Sequence, residues 1–136
     1  MINKAPESKE LFYTKDHEWI EFHGKIAYTG VCSFKLTGFK EIQDIKFIAP
    51  IGFKKQGEII ATIKYNDYTI EAHMPVDGEI VELNDKLLCG DANFLLQHAE
   101  SRGWIAMIFP VMEGERKELL LPYVYHLTNK YSTVKN

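Results

Sequence analysis

Glu58-Ile59-Ile60-Ala61-Thr62-Ile63-Lys64-Tyr65-Asn66-Asp67-Tyr68-Thr69-Ile70-Glu71-Ala72-His73-Met74 is the stretch that decides how this chain folds. At its centre, Asn66-Asp67 is a two-residue turn, because both residue types tolerate left-handed backbone angles and favour turns. Folding the stretch about that turn sets Tyr65 opposite Tyr68, Ile63 opposite Ile70, Ala61 opposite Ala72 and Ile59 opposite Met74. These eight residues share one face. The other face carries Lys64 opposite Thr69 and Thr62 opposite Glu71, with Ile60 opposite His73 as the mixed pair. Face alternation and turn chemistry therefore select the same register for a β-hairpin.

The neighbouring stretches extend the β pattern. Pro75-Val76-Asp77-Gly78 is a second turn and Glu79 to Leu83 a further strand ending at Asn84-Asp85, so two hairpins share a strand. Upstream, Trp19 to Phe22 and Ile26 to Thr29 are β-prone around a turn at His23-Gly24. Ser33 is placed to cap a short helix through Phe34, Leu36 and Thr37, limited by Gly38. Asp44 to Ala49 forms a strand that gives way to a turn at Pro50-Ile51-Gly52, since proline lacks the amide proton a ladder needs. Asp91 to Arg102 has helical spacing at Phe94, Leu95 and His98, with Gly103 as its stop before a strand from Trp104 to Phe109. The last stretch, with Leu119-Leu120-Leu121-Pro122-Tyr123-Val124-Tyr125, predicts a helix broken or kinked near Pro122 and packed on the domain by its leucines and tyrosines.

Length and composition bound the rest. The chain has 136 residues, 46% hydrophobic and 26% charged, which suits one soluble globular domain able to bury its own core. The expected division is a flexible tail over 1–10, a β domain over 11–110, and a helical extension over 111–136. A formal charge of −3 gives no reason to expect nucleic acid or anionic lipid as a partner. No apolar run approaches the roughly 20 residues of a membrane span and Met1 to Glu10 is unlike a signal peptide, so a cytoplasmic monomer is expected. Cys32 and Cys89 are read as reduced, and His17, His23, His73, His98 and His126 lack the short spacings of zinc sites, so neither disulfide nor metal is expected. Nor do nucleophile, acid–base pair or phosphate-cradling glycines stand out, so the chain is not read as an enzyme.

Tyr13-Thr14-Lys15-Asp16-His17-Glu18-Trp19 resembles the opening signature of the H-protein of the glycine cleavage system. Gly24, Thr29-Gly30-Val31, Asp44-Ile45-Lys46-Phe47, Gly57-Glu58, Pro75-Val76-Asp77-Gly78-Glu79, Asn84 and Gly103-Trp104 follow in that family's order. The resemblance spans roughly Leu11 to Pro110. It implies a mainly β fold with small flanking helices: the barrel-sandwich hybrid of lipoyl and biotinyl carriers, in its H-protein form. It also implies a carrier lysine at a hairpin tip, joined to lipoic acid, whose arm moves an aminomethyl group between the partner proteins of glycine breakdown.

Counted without a gap from Gly57-Glu58 to Pro75, the family's lysine position falls on Asp67, which is also the tip of the hairpin derived from face alternation. A carboxylate cannot form the amide that attachment requires, so an unmodified tip and no bound cofactor are expected. Lys64, Tyr65 and Tyr68 replace the acidic and small residues that usually flank the target lysine, which disfavours recognition by a lipoylating enzyme. The alternative is a true lipoyl carrier modified at Lys64, which lies three residues before the tip and on a strand. Biotin carriers' Met-Lys-Met tip is absent.

Two further groups of candidates follow, one from the resemblance and one from the hairpin. His17 and Glu18 match the signature, in which the acidic residue lies near the cleft that shelters the loaded arm. Without an arm, a hydrogen-bond network that positions Trp19 is the simpler expectation for them. Tyr65 and Tyr68, with Asn66 between the strands, form either a grip for a partner surface or a cross-strand packing pair, and packing is expected because Ile63 and Ile70 share their face. The expectation for the whole chain is a non-catalytic H-protein-like module that binds protein partners, glycine cleavage components among the candidates.

Overall fold

A computed structural model describes residues 11–48, 51–111, 119–122 and 124–127. The expected tail over 1–10 lies outside the described residues, as do much of the C-terminal extension and the end of the expected strand at Ala49.

Among the described residues, nine strands form two antiparallel sheets. β1 (Leu11–Tyr13), β2 (Glu18–His23), β3 (Ile26–Val31), β5 (Gly52–Lys54), β8 (Gly78–Leu83) and β9 (Ala106–Pro110) make a six-stranded sheet in the order β1-β2-β3-β9-β8-β5. β4 (Asp44–Phe47), β6 (Ile59–Tyr65) and β7 (Tyr68–His73) make a three-stranded sheet in the order β4-β6-β7. The sheets bury one core between them, with Ile20, Ala27, Val31, Ile80 and Ile108 from the larger and Ile60, Ala61, Ile63 and Ala72 from the smaller. Two short helices, α1 (Asp85–Leu88) and α2 (Asn93–Gln97), add Leu87 and Leu95 to it. This is the mainly β, sandwich-like architecture that the alternation pattern and the resemblance implied.

The β6–β7 hairpin forms about Asn66-Asp67, and its register runs as expected from Tyr65↔Tyr68 to Ala61↔Ala72. Below that the ladder slips: Ile59 pairs with His73, not Met74, and Ile60 is the extra residue. The slip lets Ile60 and Ala61, at 3% and 0% exposure, both enter the core, while Ile59 turns outward at 37%. Strict alternation cannot bury two consecutive residues, and a bulge can.

Other expectations are corrected. The first hairpin turns at Gly24-Lys25, one residue later than His23-Gly24; Gly24 takes φ 63 and His23 pairs with Ile26. Ser33 opens a 3-10 helix, Ser33–Leu36, rather than capping one; Cys32 precedes it with no side-chain cap. Gly52 begins strand β5, which joins the edge of β8, where the Gly52↔Ile80 to Lys54↔Gly78 pairing overrides the local turn signal. The helix expected over Asp91 to Arg102 is only Asn93–Gln97 and ends at His98, with α1 ahead of it. Gly103 instead packs so tightly that a β-carbon there would lie 2.7 Å from the His98 carbonyl oxygen. The last strand starts at Ala106, two residues after Trp104.

Pro122 does not interrupt a helix. It and Val124 to Leu127 are helical, and the chain arrives at Pro122 through a bridge between Leu120 and Tyr13. A proline at a helix start loses nothing, since its missing amide has no partner there anyway. Leu119 joins the main core, and Tyr125 stacks on Tyr13 at 4.3 Å in a second cluster with Trp19 and Cys32. Among the described residues, Leu119 and Tyr125 thus bury against the β domain.

Candidate functional site

The hairpin tip is built from Tyr65 to Tyr68. Asn66 adopts φ 53, the left-handed angle that a two-residue turn asks for and that asparagine tolerates. The Gln43 amide nitrogen donates to the Lys64 carbonyl at 2.8 Å, tying the strand below the tip to the segment before β4. Asp67 is exposed and makes no hydrogen bond or ion pair with a described residue. Lys64, also exposed, projects from the strand opposite Thr69 and Asp44. The expected packing of the two tyrosines on each other is replaced by a split: Tyr65 stacks on Phe39 at 4.8 Å, whereas Tyr68 stands 67% exposed. Phe39 lies in an irregular segment, and its ring competes better for Tyr65 than a cross-strand neighbour at the end of a two-stranded tip.

Glu18 is the most heavily engaged acid. Its side chain is 2% exposed. Thr14 Oγ1 donates to Glu18 Oε1 at 2.8 Å, and Lys35 Nζ donates to Oε2 at 2.7 Å. The His73 amide donates to Oε2 at 3.0 Å, and His73 Nδ1 lies 2.8 Å from it. His73 Nε2 is in turn 3.2 Å from Glu71 Oε1. The slip at Ile60 lies beside His73, so the departure from the simple register occurs where β7 meets the acid of β2. A buried carboxylate needs this many donors to offset the water it has lost.

His17 and Glu18 are adjacent in sequence but serve opposite sides. His17 takes φ 67, its amide donating to the Thr14 carbonyl and its carbonyl accepting from the Cys32 amide at 2.8 Å. Its ring lies 4.5 Å from that of Phe34, and Nδ1 is 2.8 Å from the Tyr125 hydroxyl. Burial, helped by the Lys35 charge, lowers the His17 pKa below its ordinary value, against the smaller opposing pull of Glu18 and Asp16. A neutral imidazole accepts a hydrogen bond at Nδ1 from the Tyr125 hydroxyl. The Tyr125 hydroxyl also bonds the buried Cys32 thiol, and burial raises the pKa of both groups. Cys32 is thus an inert core thiol, and Cys89 is exposed and unpaired with it.

The tip residues, Asp67, Lys64, Asn66 and Tyr68, therefore lie together, while Glu18 belongs to a separate network with His73 at the other end of β7 and His17 to a contact with Phe34 and Tyr125. The two outer partners of the Glu18 network, Lys35 and His73, were not singled out from sequence. Asp16, Glu18 and His73 place three ligand-type atoms within 4.8 Å of one another, a grouping that histidine spacing does not reveal because His73 comes from another sheet. The Lys35 ammonium already occupies Glu18 in that group. The arrangement holds charge in place; among the described residues it presents no nucleophile paired with a base.

Among known families, the model for Glycine cleavage H-protein matches residues 11–131. A probable glycine cleavage system H protein of Aeropyrum pernix is 31% identical over 117 residues, covering 86% of this chain and 81% of that one. A glycine cleavage system H protein of Clostridium botulinum is 32% identical over 115 residues, covering 85% and 87%. The fold is also that of a solved structure, a glycine cleavage system H protein from Mycobacterium marinum, with a TM-score of 0.76 at 21% identity, covering 91% of this chain and 99% of that one.

Proposed function

We propose, for a chain that belongs to the glycine cleavage H-protein family, a protein-binding module that is not lipoylated and does not shuttle aminomethyl groups. The family is one of carriers, and the chain is not itself a catalyst. The observation that carries the proposal is Asp67 at the turn of the β6–β7 hairpin, where the family's attachment lysine falls by a gap-free count. Attachment joins a lysine amine to an activated acyl group, and a carboxylate has no amine to offer. Lys64 is a poor substitute, because it projects from a strand beside Asp44 and Thr69 and not from the turn.

The Glu18 network supports the same reading. A cleft residue that received a cargo would keep hydrogen-bonding capacity for it, whereas Glu18 is buried and filled by Thr14, Lys35 and His73. The exposed tip, with Tyr68 and Asp67 side by side, is the partner-facing surface we infer, and other glycine cleavage components are the partners the family suggests. No helix among the described residues is long and apolar enough to cross a membrane. Function as a cytoplasmic monomer is part of the proposal.

Intact-mass analysis of the protein isolated from a lipoylating cell tests this directly. The unmodified mass is expected. A lipoyl adduct overturns the reading, and its persistence or loss in Lys64→Arg tells whether Lys64 carries it. Affinity capture from the native cell, probed for the decarboxylase and aminomethyl-transfer components, tests the proposed partners.

A further inference from the structure

Glu21 is a buried acid with half of its carboxylate unaccounted for. Alternation along β2 sends Ile20 into the main core and puts Trp19, Glu21 and His23 on the opposite face of the six-stranded sheet. Glu21 is 8% exposed. Its Oε2 lies 2.9 Å from His23 Nε2, and no described residue bonds Oε1. A buried carboxylate oxygen without a protein donor is costly, so Oε1 is available to a donor that enters from solvent.

Glu21 lines a cavity of about 210 Å³ together with Trp19, His23, Tyr28, Arg102 and Trp104. The Tyr28 and Trp104 rings lie 5.0 Å apart at 56°, and the His23 ring meets Tyr28 edge-on at 5.5 Å. Two aromatic rings and a carboxylate lining one cavity form a setting that attracts an organic cation. The walls are fixed in advance. Trp19 Nε1 donates to the Ala99 carbonyl at 2.8 Å, and Asn84 Nδ2 donates to the Arg102 and Trp104 carbonyls at 2.9 and 2.8 Å. A site held by such bonds loses little entropy when it is filled.

We propose that this cavity binds a small organic ammonium group, its N–H donating to Glu21 and its alkyl stem lying against Tyr28 and Trp104. The site lies on the larger sheet and the β6–β7 hairpin on the smaller, so it is separate from the proposed function and stands or falls without it. Arg102, exposed on the same cavity, limits the affinity for a bare cation through like charge. A free alkylamine and the lysine side chain of a partner share the chemistry.

Both tryptophans of the chain line this cavity, so intrinsic fluorescence of the whole protein reads it. Titration with n-butylammonium is expected to give a saturable change with a Kd of about 1–10 mM, the scale for so small a ligand. 1-Butanol, with the same stem and no charge, is expected to bind at least about tenfold more weakly. Glu21→Gln keeps the shape and is expected to weaken n-butylammonium by a similar factor. Equal binding of the alcohol, an unaltered Kd in a folded Glu21→Gln, or no saturable change overturns the proposal. Should Glu21→Gln not fold, Arg102→Ala at its exposed position decides. Two- to fivefold tighter cation binding (~) is expected there, and unchanged or weaker binding overturns the charge assignment. Tighter binding of N-acetyl-lysine methylamide than of n-butylammonium identifies a partner's lysine as the source, and the reverse identifies a free amine; both support the site.

Discussion

Replacing Lys35 by methionine isolates the charge at the centre of the Glu18 network while keeping most of the side-chain stem. Glu18 is 2% exposed and Lys35 is 13% exposed, so water cannot readily take the place of the lost ammonium. Removing one partner of a fully buried ion pair costs about 3–5 kcal/mol. Here Thr14 Oγ1 and the amide and ring of His73 still hold the carboxylate, and Lys35 keeps some contact with solvent, which lowers the figure. The expected loss is about 2–3 kcal/mol, or a fall of about 6–12 °C in melting temperature for a chain of this length. Thermal unfolding by circular dichroism measures it. In a double-mutant cycle with Glu18→Gln, a coupling of about 1 kcal/mol or more is expected, because the two side chains touch. A Lys35→Met protein that melts within about 2 °C of the parent, or a strictly additive cycle, would refute the view that Glu18 is spoken for internally. It would reopen the reading in which this acid waits for a ligand.

Two further outcomes follow. The His17 pKa is lowered in the fold, so the stabilisation from its neutral ring is fully present above the unfolded value of about 6.5 and is lost as pH falls from there through the depressed folded value. His17→Asn removes the titration and suits the left-handed backbone at φ 67. The parent's melting temperature is therefore expected to drop more steeply than the variant's between about pH 7 and 5, and parallel profiles would count against a His17 ring held neutral by burial. At Gly78 a β-carbon would lie 2.6 Å from the Phe109 carbonyl oxygen, so Gly78→Ala must push β8 from β9. A loss of about 2–4 kcal/mol is expected in denaturant unfolding, against about 1 kcal/mol for Gly38→Ala, where φ is 89 and space is open; equal losses would contradict the clash.

Much of the fold was legible because it is written in neighbouring residues. Period-two alternation on either side of Asn66-Asp67 specifies the upper register of β6 and β7, since a one-residue shift would turn every apolar side chain outward. The same adjacency put Asp67 at the turn without any knowledge of the rest of the chain. What alternation could not express was the slip at Ile60, which exists because two consecutive side chains are wanted by a core that other strands build. Strand β5 and the short α2 were misread for a related reason: pairing with β8 and the limited room beside Gly103 outweighed local preference.

The site divides in the same way. The sequence by itself determined which side chain stands at the tip, and hence that no amine is presented there. Only the tertiary structure decided what Glu18 does, because its partners come from 17 and 55 positions away, and what His17 does, because Tyr125 is 108 positions distant. It likewise decided that Trp19 is pinned by a carbonyl 80 residues on and that Glu21 opens on a cavity. A turn and an alternating strand are properties of adjacent residues, whereas a buried charge is defined by whichever groups the closed chain brings to it, and no local pattern carries that information.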